Sequence, residues 1–160
     1  MQIVSSYGVE VKKQNIPIRH TLDIFRKAVS YLIGVYAENW EELSKIGNTQ
    51  KRFNEAEHLV HETKKNRARF AFDRYFPKMP SYLRRAAIQH ALGSISSYQT
   101  RLSLWEKGGL SGKPKLTCEN HAMPVFYRDV MYKEAENGED VAHLKLFDGR
   151  DWKWFPVKLL

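Results

Sequence analysis

The chain has 160 residues, with 26 Lys and Arg against 18 Asp and Glu and a formal net charge of +8. That length is of the order of one domain, and a hydrophobic content of 42% with 12% aromatics excludes global disorder. No apolar run approaches the roughly 18 residues that span a bilayer, the first residues lack a signal-peptide pattern, and the one cysteine, Cys118, excludes an internal disulfide framework; a cytoplasmic chain with no membrane partner is expected.

Residues 2–13 partly alternate, with Ile3, Tyr7, Val9 and Val11 on one parity, which predicts a strand ended by Pro17. From about residue 18 to 46 the period becomes helical. Phe25, Val29, Leu32, Tyr36, Trp40 and Leu43 line one face, with Thr21 as candidate N-cap and Gly47-Asn48 as the stop. Residues 49–65 predict a more polar helix using Phe53, Ala56, Leu59 and Val60. Residues 66–80 are irregular. A long helix follows over about 82–107, with Ser81 as N-cap and a stripe of Leu83, Ala87, Leu92, Ile95, Leu102 and Trp105. Its small residues Ala86, Ala91, Gly93, Ser94, Ser96 and Ser97 predict close packing against another helix. Gly108-Gly109 ends it, and residues 108–116 form a Gly/Pro/Lys-rich linker.

The last third predicts strands over 124–133, 141–147 and 152–159. Residues 141–147 alternate Ala142, Leu144, Leu146 against His143, Lys145, Phe147, and the DGRD turn at 148–151 marks a hairpin. Trp152 and Trp154 share a parity, where core packing is the expectation. The order strand, helices, strands predicts an α+β fold. Its economical form is a small β-barrel interrupted after its first strand by a helical bundle.

The charge is local. Residues 63–85 carry a net +7: Lys64, Lys65, Arg67, Arg69, Arg74, Lys78, Arg84 and Arg85 against Asp73 alone. Phe70, Phe72, Tyr75, Phe76 and Tyr82 interleave them. Cations neutralise phosphates and aromatic faces stack bases, so this stretch is the candidate nucleic-acid surface. Arg84 and Arg85 open the long helix, where positive charge opposes the helix dipole, and an anionic partner would remove that cost.

Other constellations are weaker. His58, His61, Glu62, Cys118 and His121 could in principle supply zinc ligands, but no HExxH or paired CxxC is present. Cys118 with His121 or His90 lacks any mark of an activated thiol. No phosphate-binding glycine loop occurs, and Asp148 reads as a turn residue.

The segment from FDRYFPKMP through SYLRRAAIQHALGSISSYQTRLSLWEKG closely resembles the TnpB (OrfB) family of transposase-associated proteins of bacterial insertion sequences. MPVFYRDVMYK and LKLFDGRDWKWFPVKL resemble the strand-rich segment that follows there, and SSYGVEVKK matches the opening. Members of that family are RNA-guided DNA endonucleases related to type V CRISPR effectors. They have a β-barrel wedge domain interrupted by a helical recognition domain, then a RuvC-like nuclease domain with a zinc ribbon.

The resemblance implies wedge over 1–15 and 118–160 and recognition over 16–117. It implies guide RNA or target DNA on Lys64, Lys65, Arg67, Arg69, Arg74, Lys78, Tyr82, Arg84, Arg85, Lys113 and Lys115. It covers less than half of a full member. The three metal-holding acids and the zinc-ribbon cysteines have no counterpart here, so no catalytic residue and no metal or other cofactor is assigned; divalent metal and zinc would belong to the missing C-terminal region. The implied partners are RNA, DNA and a separate chain carrying the nuclease, in the bacterial cytoplasm at the nucleoid. The rival expectation is a vestigial or protein-interaction domain with no nucleic-acid role.

Overall fold

The computed structural model describes residues 10–12, 15–117, 121–134 and 140–160. Among these the fold is α+β: five helices precede a three-stranded antiparallel sheet. The chain divides into two units. One takes the described residues up to Thr21 with Phe126–Leu160, and the other is Leu22–Val125.

Helix α1 (Ile18–Glu38) begins directly after Pro17, a residue suited to a helix start because it has no N–H to leave unpaired. Thr21 therefore lies inside the first turn and is no N-cap. Its hydroxyl donates to the Pro17 carbonyl at 3.3 Å and accepts the Phe147 N–H at 2.9 Å, which explains a polar residue buried at 1% exposure. The helical run does not continue to 46 unbroken. Asn39 is buried, leaves helical geometry at ψ 12°, and donates its side-chain amide to the Val35 carbonyl at 2.7 Å. Helix α2 (Trp40–Ser44) restarts after it.

Helix α3 (Thr49–Val60) is capped by Asn48, whose side chain accepts the Lys51 N–H at 2.9 Å. It ends five residues before the sequence pattern predicts, because 63–66 close a turn of their own through reciprocal Thr63 and Asn66 backbone bonds. Helix α4 (Phe72–Tyr75) is a single turn within the stretch expected to be irregular. Helix α5 (Ser81–Glu106) has Pro80, not Ser81, at its N-cap, with no side-chain cap bond. Its far end is a Schellman motif: Gly108 takes φ +78°, its N–H reaches the Trp105 carbonyl, and the Gly109 N–H reaches the Leu104 carbonyl at 2.8 Å.

In the Leu22–Val125 unit the core is built by Phe25, Val29, Leu32, Ile33 and Tyr36 of α1, Phe53, Ala56 and Val60 of α3, Phe72 and Phe76, and Leu83, Ala87, Ile88, Ala91 and Ile95 of α5. Truncating one such Leu or Ile to Ala costs about 2–5 kcal/mol. Beyond Ile95 no residue of α5 is buried. Leu102 and Trp105 are half-buried, as is Leu92 earlier in the helix. Of the small residues, Ala86 and Ala91 are buried and α5 packs against α3, whereas Gly93, Ser94, Ser96 and Ser97 are exposed and take no part; Ser94 bonds back to the His90 carbonyl.

In the other unit, strand β2 (Val141–Phe147) pairs with β1 (Tyr132–Glu134) on one side and β3 (Trp152–Lys158) on the other. Ala142, Leu146 and Val157 are buried on one face, and Met131, just before β1, is buried as well. The strand expected over 124–133 shrinks to β1. Asp129, at φ +66°, sits in a tight turn where the Met131 and Tyr132 N–H groups both reach the Tyr127 carbonyl. Residues 1–9, 13–14, 118–120 and 135–139 lie outside the described residues, and with them most of the predicted first strand. Its described part, 10–12, runs antiparallel to the end of β3 through a Val11–Leu159 bridge. The described strands form an open sheet, not a closed barrel.

The turn at 148–151 carries its own logic. Asp148 accepts the Arg150 and Asp151 N–H groups at 2.9 and 2.8 Å and the Lys153 ammonium at 2.6 Å. The Lys153 bond, then the two N–H groups, hold its carboxyl well below the usual aspartate range. Gly149 at φ +99° supplies the left-handed position.

Candidate nucleic-acid interface

Helix α3 is followed by His61 as its C-cap, and its last free carbonyls need donors. Asn66 provides them: its side-chain amide donates to the His58 and His61 carbonyls at 2.9 and 2.8 Å. The Thr63 hydroxyl accepts the Lys65 and Asn66 N–H groups, and the Phe70 N–H reaches the Leu59 carbonyl. Asp73 closes the far side. Its Oδ2 lies 2.9 Å from His61 Nδ1 and accepts the Glu62 N–H at 3.0 Å. The one acid among these cations is thus engaged in pinning residues 61–71 to the end of α3.

Lys64, Lys65, Arg67 and Arg69 lie on that pinned loop, all exposed. The Arg69 guanidinium sits over the Phe70 ring at 5.5 Å. Arg74 and Lys78 are exposed further along, Lys78 at φ +57°. Among the described residues no carboxylate pairs with Lys64, Lys65, Arg67, Arg69 or Arg74. The interleaved aromatics divide. Phe72 and Phe76 plug the core, whereas Tyr75 is 63% exposed and Tyr82 39%. Tyr75 leans on Tyr31 with ring centroids 5.4 Å apart.

Arg84 differs from the surface role expected of it, whereas Arg85 is exposed. Arg84 is buried at 8% exposure and pairs with Glu57 of α3 at 3.4 Å. Arg85 lies over the Phe53 ring at 5.1 Å and 3.7 Å from the other Glu57 oxygen. The anion that offsets two cations in the first turn of α5 is therefore internal. Tyr36 lies behind this cluster, its hydroxyl donating to the Ala56 carbonyl at 2.9 Å. Burial first, then the Glu57 carboxylate, push that phenol far above its ordinary pKa.

Lys113 and Lys115 are exposed, beyond the C-terminal end of α5 in sequence. Lys113 lies over the Trp105 ring at 5.3 Å, about 30 Å along α5 from Arg84 at 1.5 Å rise per residue. Of the zinc candidates, His61 is engaged by Asp73, His58 stands 4.0 Å from Glu55, and Cys118 lies outside the described residues. Among the described residues no three His, Cys, Asp or Glu side chains come together as a metal site.

Sequence reasoning missed the positioning residues Asn66, Asp73 and Glu57. The signal for Asn66 was present: Thr63 and Asn66 at turn spacing are side chains that bond their own backbone. No helix among the described residues is long and apolar enough to cross a membrane. No curated protein and no solved structure matches the chain significantly. A family model does match, over residues 5–148, and on that span the chain belongs to the Aq_aa04 family.

Proposed function

We propose that the chain is a nucleic-acid-binding module that places RNA or DNA against the loop at the end of α3. The observation that carries this reading is the pinned display of Lys64, Lys65, Arg67 and Arg69, with Arg74 beside them in sequence, exposed and without carboxylate partners among the described residues. A preordered set of cations loses less entropy on meeting phosphates than a flexible one. In the TnpB-like reading this loop belongs to the helical recognition part and contacts guide RNA or target DNA. The sheet, with 10–12 beside the end of β3, is then the wedge, and its barrel-like closure is part of the same proposal. The Val11–Leu159 bridge supports it. No residue of this sequence is assigned to hydrolysis. A nuclease chain is the proposed partner, and the bacterial nucleoid the proposed location.

The test is a titration of labelled RNA hairpin and duplex DNA across salt concentrations. Log affinity falls with log salt by about 0.7–0.9 per neutralised phosphate. Changing Lys64, Lys65, Arg67 and Arg69 together to Gln lowers that slope by about 3. A folded sample with no binding at low salt sinks the proposal.

A second reading, a protein-interaction module, has its own observation: Met123, Val125, Tyr127 and Val130 are all exposed. A chain that self-associates or recruits a protein through these residues and ignores nucleic acid would favour it.

A further inference from the structure

The outer face of the β1-β2-β3 sheet has a different composition from its buried face. The register puts Lys133, His143 and Pro156 in one row, Lys145 beside Trp154 in the next, and Phe147 beside Trp152 at the hairpin end. Trp152 is buried at 8% exposure and stacks near Phe147 at 5.3 Å. Trp154 is 38% exposed, and the Lys133 ammonium stands 5.0 Å from its ring centroid. Among the described residues no carboxylate pairs with Lys133 or Lys145. The nearest acid in sequence, Glu134, points to the opposite face by parity and is engaged by Arg128 and the Tyr132 hydroxyl.

We propose that this face, with Trp154 at its centre, is a stacking platform for an unpaired stretch of nucleic acid, one base lying on the indole and its phosphates met by Lys133 and Lys145. An exposed indole on a sheet offers a π surface that any base can cover; Lys145 on the neighbouring strand, about 5 Å away, and Lys133 two strands away, its ammonium 5.0 Å from the ring centroid, provide counter-charge. Bases in a duplex are already stacked, so the ligand is a single strand. An acidic peptide would use the lysines and leave the ring idle. The inference shares its ligand class with the proposed function but stands on the other unit and on other residues.

The experiment is a fluorescence and anisotropy titration of the whole chain with oligo-U and oligo-dT at low salt, with a melt of each variant to confirm folding. Binding of either oligomer quenches tryptophan emission. Trp154→Ala weakens affinity about 5- to 150-fold, and Trp154→Phe restores most of it. Lys133→Gln with Lys145→Gln lowers the salt slope by about 1.4. Trp154→Ala binding as tightly as wild type overturns the inference, as does polyglutamate displacing the oligomer equally well in both. If Trp154→Ala is silent while the Lys64, Lys65, Arg67 and Arg69 variant loses binding, the proposed function stands and the platform falls.

Discussion

Replacing Arg84 is expected to damage folding, not recognition. The guanidinium is buried with its Nε lacking a hydrogen-bond partner, and Glu57 opposite it is also largely enclosed, with side-chain exposures of 10% and 19%. Removing one partner of a buried pair typically costs about 3–5 kcal/mol, because a charge is stranded away from water. Glu57 keeps Arg85 at 3.7 Å, so Arg84→Ala falls at the lower end, about 3 kcal/mol. Set against a total stability of about 5–15 kcal/mol, that is a large fraction. With a urea m value of about 2 kcal/mol/M, the midpoint drops by about 1.5 M. Arg84→Glu faces one carboxylate with another and leaves the chain unfolded at ordinary temperature. The paired change Arg84→Met with Glu57→Met removes both charges and returns to within about 1 kcal/mol of wild type, since an apolar replacement of a buried pair is often neutral. The assay is urea unfolding by circular dichroism, with RNA binding measured on each folded variant. Arg84→Ala that melts like wild type and loses RNA binding would refute the buried assignment and restore Arg84 to the surface set.

Two further outcomes are expected. Gly34 and Gly93 lie within α1 and α5, exposed, and a methyl added at either would meet nothing within 4 Å, so Gly→Ala at either raises stability by about 1 kcal/mol, read as a melting-temperature rise of about 2–4 °C; a fall at either would show that the helix needs its glycine. Asp148 has a depressed pKa when folded, so its contribution to the β2–β3 hairpin is full above the ordinary aspartate range and is lost as the pH falls through that range and below it. Acid titration followed by hairpin amide shifts should show this dependence in wild type and not in Asp148→Asn.

How much was legible depended on whether local pattern or tertiary phase decided the matter. Strand β2 falls where alternation puts it, and β3 ends one residue short of the predicted span. Strict period 2 and a DGRD turn leave few other registers. Asn48 caps α3, whereas α2 already ends at Ser44, ahead of the expected Gly47-Asn48 stop. Thr21 could not be placed from sequence, because its partner, the Phe147 N–H, is remote in sequence. Arg84 is legible by phase and not by charge: Arg84, Ile88, Ala91 and Ile95 recur at spacings of four, three and four, a buried helical stripe whose first member is a cation. Trp152 and Trp154 share a parity, yet burial differs along the row. Phe147 backs the first, and Lys145 stands opposite the second.

Asp73 separates two accounts of the basic loop that otherwise predict alike. If net charge alone governs binding, Asp73→Ala removes the one acid from the segment and should tighten it. If preordering governs, the same change should weaken it, because Asp73 holds both His61 and the Glu62 N–H. The magnitudes favour the second. A unit charge about 10 Å from a phosphate in water-like dielectric is worth about 0.4 kcal/mol, and physiological salt screens most of that. Two lost hydrogen bonds, at about 1 kcal/mol each, release a loop whose reordering must then be repeated on binding. Asp73→Ala should therefore bind RNA about tenfold more weakly with its salt slope little changed, since the same phosphates are neutralised. Asn66→Ala, which alters no charge and frees the same loop from the other side, should do likewise. Tighter binding by Asp73→Ala, with Asn66→Ala unchanged, would mean that the loop acts by charge and that its pinning serves only the fold.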